Sequence, residues 1–173
     1  MSFKTHLAEY VLGNVKLSSM PDAAVQALIE GFDSPSLRVL AGESGNNSNL
    51  FEIKELLQRT ISELGLSLPS ENEAAHILIR HWAERIVNGS ILPQEGARHI
   101  LLDIYHRTEH PSEKIVGDSL GLATLLGLVY EYDSLQDGFI EYEGRPLSKE
   151  AAFKVLDKEV VEESRKYLLT TCA

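Results

Sequence analysis

Apolar residues recur at three- and four-residue intervals along most of this chain, and the intervals break at Gly, Pro and Ser. That period places one apolar stripe on each of a series of helices. Ser2 caps a short helix that runs toward Gly13. Pro21 sits in the first turn of a second helix, which holds Ala23, Ala24, Ala27 and Leu28 and stops at Gly31. Ser34-Pro35 opens a third, carrying Leu37 and Leu40 to Gly42; proline suits a first helical position because the amide it lacks would be unpaired there. Residues 42–49 are polar and glycine-rich and read as a loop.

The pattern then resumes. Phe51, Ile53, Leu56, Leu57, Ile61 and Leu64 form the stripe of a fourth helix, closed by Gly65. Ser70 and Glu73 have the spacing of a capping box, in which each side chain serves the other's backbone amide. The helix they open carries Ala75, Leu78, Ile79, Trp82 and Ile86 and ends at Asn88-Gly89. Pro93 starts the next, with Ala97, Ile100, Leu101, Ile104 and Tyr105. Pro111-Ser112 begins the most apolar segment, through Val116, Leu120, Leu125, Leu126 and Val129, in which Gly117 and Gly121 lie four apart and suggest close approach of a neighbouring backbone. The last long helix begins after Ser148, with Ala152, Phe153, Val155, Leu156, Val160 and Leu168. Between these two, Phe139 to Tyr142 and Arg145 to Leu147 flank a glycine turn and predict a small β-hairpin, confined to an edge by Pro146. The expected fold is therefore all-α, with seven or eight helices and one small hairpin before the last.

At 173 residues the chain fits a single domain, residues 1–173, able to bury roughly 70% of its unfolded surface without disulfides or a structural metal. The one cysteine, Cys172, stands beside the C-terminus, has no internal partner, and points to a reducing compartment. Glu9 interrupts the only N-terminal apolar stretch, so no signal peptide is expected, and the Ile115–Tyr130 segment is short of the ~20 residues a membrane span needs. A soluble, cytoplasmic protein follows. The net charge of −10 disfavours a broad phosphate-binding surface and would steer a basic partner.

Motifs for chemistry are sparse. No dinucleotide fingerprint and no phosphate-cradling loop is present. Gly42-Glu43-Ser44-Gly45 lacks the lysine such a loop needs. Glu73 with His76, and Asp103 with His106, have carboxylate–histidine spacing, but the further ligands of a di-metal bundle are missing. His106 and His110 are four apart, yet Pro111 ends that helix. No metal and no cofactor are expected. His76-Ile77-Leu78-Ile79 with Trp82 echoes His99-Ile100-Leu101-Leu102 with Tyr105, at an offset too short for two-helix solenoid repeats.

Two functional expectations remain. Residues 130–143 contain five carboxylates, four aromatics and no Lys or Arg. Tyr130, Tyr132, Asp133, Asp137, Glu141, Tyr142 and Glu143 therefore form a candidate acidic, tyrosine-rich surface for a basic protein. An immunity-type inhibitor of a cationic bacterial toxin is one protein of that kind. The alternative is a small-ligand-binding protein or enzyme built on the histidine-bearing helices around His76, His81, His99 and His106. A ligand-sized pocket beside those histidines favours the second, a flat acidic surface the first.

Overall fold

The computed structural model describes residues 1–44, 49–110, 113–136, 141–142, 145–146 and 148–170; for 136, 141, 142, 145 and 146 it describes the backbone alone. Eight α-helices occupy these residues: α1 Phe3–Val11, α2 Met20–Ile29, α3 Pro35–Gly42, α4 Leu50–Glu63, α5 Glu71–Val87, α6 Pro93–His99, α7 Ala123–Gln136 and α8 Lys149–Thr170. The fold is all-α, as the apolar period predicts. Contacts divide it into two compact units, Met1–Ile77 and Leu78–Ala173, where length alone suggests a single domain.

The first unit packs α2 against α1 and α3, and α3 against α4. Its core is aliphatic and tight: Phe3, Leu7, Met20, Leu37, Leu40, Ile53 and Leu57 surround Ala23, Ala24 and Ala27. The alanines let α2 sit close to its neighbours. Two helix starts are secured by distant carboxylates. Glu30, at the end of α2, accepts the Phe3 N–H on both oxygens, at 3.1 and 3.0 Å. Glu63, at the end of α4, accepts the Ser36 N–H at 2.9 Å and its hydroxyl at 2.7 Å. Each satisfies a backbone donor that the helix itself leaves unpaired, and each puts negative charge at a positive helix end. Ser2 and Ser34 complete the two caps by accepting from Thr5 N–H and Leu37 N–H.

In the second unit α7 packs on α8, and both touch α6. Leu126, Val129 and Tyr132 of α7 and Ala152, Leu156 and Val160 of α8 are all buried. Helix α6 does not run on as one α-helix to Tyr105. It widens into a π-turn over Ile100–Ile104 and tightens into a 3-10 turn over Tyr105–Arg107. Thr108 donates its hydroxyl to the Ile104 and Tyr105 carbonyls, which closes the helix end.

Two expectations need correction. Gly117 and Gly121 do not lie in an apolar helix. Both take left-handed backbone, φ 90° and 68°, and bracket a 3-10 turn at Asp118–Leu120 before α7 begins. Their glycine identity answers to backbone conformation, which L-residues with a Cβ resist. At Gly117 the expected close approach of backbone is present as well, since a Cβ would stand 2.7 Å from the Ala123 N and 2.8 Å from the Leu122 carbonyl carbon, whereas at Gly121 it would meet nothing within 4 Å. The hairpin before α8 is not realised as a substantial element. Among the described residues pairing is confined to β1 (Glu141–Tyr142) and β2 (Arg145–Pro146), two residues each; Phe139, Ile140, Gly144 and Leu147 of the expected hairpin lie outside them.

Candidate functional site

Three polar constellations stand out. The first lies in the first unit. Gly65 ends α4, Leu66, Ser67 and Pro69 cross to Ser70, and the capping box starts α5. Glu73 accepts the Ser70 N–H and hydroxyl, each at 2.8 Å, while the Ser70 oxygen accepts the Glu73 N–H at 3.3 Å. The Ser70 backbone bond, followed by its hydroxyl, holds the Glu73 carboxyl below its ordinary range. Helical spacing then brings Glu73, His76 and Ile77 to one side. With Lys4 and Leu7 of α1 they line a pocket of about 470 Å³ whose walls are mostly apolar. That volume lies within the range of small-molecule sites, which combine apolar walls with a few placed polar groups.

The second constellation joins α5 to α6. His99 stacks on Trp82 with ring centres 4.1 Å apart and planes 7° from parallel. The Arg85 guanidinium lies 4.6 Å from the same indole. His81 meets Trp82 edge-on at 5.5 Å. His99 Nδ1 is 2.6 Å from Asp103, and Arg98 pairs with Asp133 of α7. Glu95, Arg98, His99, Leu102 and Asp103 line an open recess of about 510 Å³.

The third surrounds His110. Its ring stacks on Tyr105 at 4.2 Å and 13°. Nε2 lies 2.9 Å from the Tyr105 carbonyl and 2.9 Å from Thr108 Oγ1, and Nδ1 lies 2.7 Å from Ser119 Oγ. Ser119 donates its N–H to Glu113 at 2.8 Å, and its Oγ is 3.0 Å from the same carboxylate oxygen; Tyr105 donates its hydroxyl to the other oxygen. Desolvation pushes the Glu113 carboxyl up, but the Tyr105 hydroxyl and the Ser119 N–H and hydroxyl outweigh it and bring it down to about 2.

The sequence-derived candidates are distributed unevenly among these. Tyr130 is 49% exposed, and Glu131 beside it is exposed too. Tyr132 is fully buried, donates its hydroxyl to Asp157 at 2.7 Å and packs on Phe153, so its place on an acidic surface is corrected to the α7–α8 core. The aromatic i and i+2 positions of a helix face apart, and α8 takes one of them. Asp133 is half-exposed but paired with Arg98. Asp137 and Glu143 lie outside the described residues, as do the loop at 45–48, Pro111, Ser112 and Cys172; Glu141 and Tyr142 are described only as the backbone of β1. Of the four histidines, His81 and His99 meet at Trp82, His76 lines the pocket of the first unit, and His106 only tilts against Tyr105 at 5.8 Å. Asp103 pairs with His99, four residues back across a helical turn.

Arg85 and Glu113 were not legible as site residues; Ser119 did carry a signal, as the centre of Gly117-Asp118-Ser119-Leu120-Gly121, the Gly-x-Ser-x-Gly spacing of a nucleophile turn. Arg85 follows Trp82 by three positions on a helix, a spacing that could have been noticed. Ser119 meets His110 only through the left-handed glycine turn. Among the described residues no group of three or more His, Cys, Asp or Glu is placed to hold a metal ion, and no helix is long and apolar enough to cross a membrane. Comparison with family models, curated proteins and solved structures yields no match to this chain.

Proposed function

We propose that this chain is a binding protein for a small amphipathic molecule, held in the pocket of the first unit. The observation that carries the reading is the pocket itself, about 470 Å³, bounded by Leu7, Leu66 and Ile77 and edged by Lys4, Glu73 and His76. Apolar walls suit a hydrocarbon or aromatic body. The charged and imidazole groups at the edge suit a polar head that fixes its orientation. The cytoplasm, inferred from the single cysteine, is the compartment in which such a ligand would be met.

A fragment screen by ligand-observed NMR tests this, followed by mapping of hits on isotope-labelled protein. Binding should perturb Leu7, Leu66, His76 and Ile77 together. His76→Ala should weaken a mapped hit by about two- to tenfold, the value of one hydrogen bond. A screen in which hits never perturb these residues would remove the reading.

A second reading is supported by the exposed Tyr130–Glu131 pair and the net charge of −10: docking of a basic protein at the end of α7, as an immunity-type inhibitor would dock on a cationic toxin. Asp133 already has an internal cation, so Glu131→Lys with Asp137→Lys is the informative charge reversal. Equal recovery of the same proteins by wild-type and reversed baits argues against it.

A further inference from the structure

We propose that Ser119 is a reactive nucleophile, with His110 as its general base, competent to accept an acyl group from activated esters and thioesters. The case rests on geometry in the second unit and is independent of the ligand pocket. A carbonyl oxygen only accepts hydrogen bonds, so the Tyr105 carbonyl 2.9 Å from His110 Nε2 assigns the ring hydrogen to Nε2. The Thr108 hydroxyl spends its own hydrogen on backbone carbonyls and therefore also faces Nε2 as an acceptor. The neutral ring is left with its lone pair on Nδ1, and Nδ1 points at Ser119 Oγ, 2.7 Å away. Stacking on Tyr105 at 4.2 Å holds the imidazole plane. Nucleophile, base and an orienting group for the base are the three parts an activated serine requires.

Glu113 supplies charge. The Ser119 hydroxyl donates to Glu113 at 3.0 Å in its resting orientation and turns to His110 Nδ1, 2.7 Å away, to react. Once the proton has moved to the ring, the carboxylate beside Ser119 stabilises the imidazolium. Ser119 itself is exposed, so an acyl donor can reach it.

The local backbone sets the substrate class. The N–H of Ser119 goes to Glu113, that of Leu120 to the Gly117 carbonyl, that of Gly121 to Asp118 and that of Leu122 to Gly117. The turn thus spends its own amides and keeps none of these four for a developing oxyanion. Without that stabilisation the barrier for an amide is too high, whereas an aryl ester or thioester brings a good leaving group. In the reaction Ser119 Oγ bonds to the carbonyl carbon and its proton passes to His110 Nδ1. The bond to the phenolate or thiolate breaks, and that group leaves with the electron pair and takes the proton from His110. Water then attacks the acyl-serine, gives one proton through His110 to Ser119 Oγ, and the carboxylic acid departs.

The test uses the full chain with p-nitrophenyl acetate and, separately, a fluorophosphonate probe, with the modified residue located by mass spectrometry. Label on Ser119, lost in Ser119→Ala and slowed about 100-fold in His110→Gln, is the expected result, because a positioned base contributes on the order of 10²-fold or more. Gln keeps a donor for the Tyr105 carbonyl but takes no proton, and circular dichroism checks that both variants fold. No label on Ser119 in wild type overturns the proposal. So does equal labelling of Ser119 in folded His110→Gln.

Discussion

Gly96 is the position where the packing of α6 can be tested most sharply. It is buried in α6, and a Cβ built there would stand 2.4 Å from Ile86 Cγ1, 2.7 Å from Ile86 Cδ1 and 3.2 Å from Ile91 Cγ2. Carbon atoms pack at about 3.5–4.0 Å, so Ile86 would have to retreat by roughly an ångström. It cannot do so by swinging a chain end, since Cγ1 is the nearest atom and Ile86 is itself buried on α5. Overpacking of this kind costs about 1–3 kcal/mol, and the severity of the clash argues for the upper half. Alanine returns at most about 1 kcal/mol of helix propensity. Gly96→Ala should therefore destabilise by about 1–2 kcal/mol, which lowers a urea midpoint by roughly 0.5–1 M at a typical slope of about 2 kcal/mol/M.

Trp82, the only tryptophan, lies on α5 four residues from Ile86 and reports the transition by fluorescence. Gly127 provides the control. It is exposed within α7 and a Cβ there would meet nothing within 4 Å, so Gly127→Ala should stabilise by up to about 1 kcal/mol. In an Ile86→Ala background Gly96→Ala should lose its penalty, a coupling that a double-mutant cycle measures. A higher midpoint for Gly96→Ala in the wild-type background would refute the close approach of α5 and α6.

Tyr132→Phe should cost about 1–2 kcal/mol, read by chemical denaturation, because a buried hydroxyl that donates to the Asp157 carboxylate is removed. The Tyr132 phenol is pushed up by burial and then by Asp157, and burial raises Tyr167 to about 12. Their contribution is complete below pH 10, the ordinary tyrosine value, and is lost as pH rises, so the midpoint should fall in alkali while two tyrosines titrate late by absorbance. Glu113 shifts the other way: folded near 2 against an ordinary 4.5, it stabilises above about pH 4.5 and loses that contribution as pH falls toward 2. Glu113→Gln should flatten the acid limb of the stability profile, and an unchanged limb would count against the Tyr105–Glu113–Ser119 network.

Helix identity was readable because local signals and apolar period agree. Ser2, Ser34 and Ser70 cap where their spacing says they should, and Pro35 and Pro93 stand at the start of α3 and α6. What escaped reading depends on contacts between distant residues. Tyr132 could be core or surface until α8 supplied Asp157 and Phe153. Gly117 and Gly121 carry the same letters in a helix as in left-handed turns, and only the chain's path to α7 distinguishes them. The four histidines look equivalent in sequence. Stacking on Trp82, pocket walls at Leu7 and Leu66, and the Tyr105 carbonyl separate them into different environments.

The two carboxylate clasps of the first unit carry one more consequence. Phe3 with Glu30 and Ser36 with Glu63 each span 27 residues, and the second pair follows the first by thirty-three. Leu7 and Leu40 occupy matching core positions at the same offset, as do Ala24 and Leu57. The unit is thus a tandem of two like helical hairpins, and its period is that of stacked two-helix repeats rather than the shorter His76–His99 echo. In such an array each module is held chiefly by its neighbour, so stability is a sum of modules and the junctions between them. Weakening the junction between α2 and α3 should therefore loosen both hairpins together, because each buries its open face on the other.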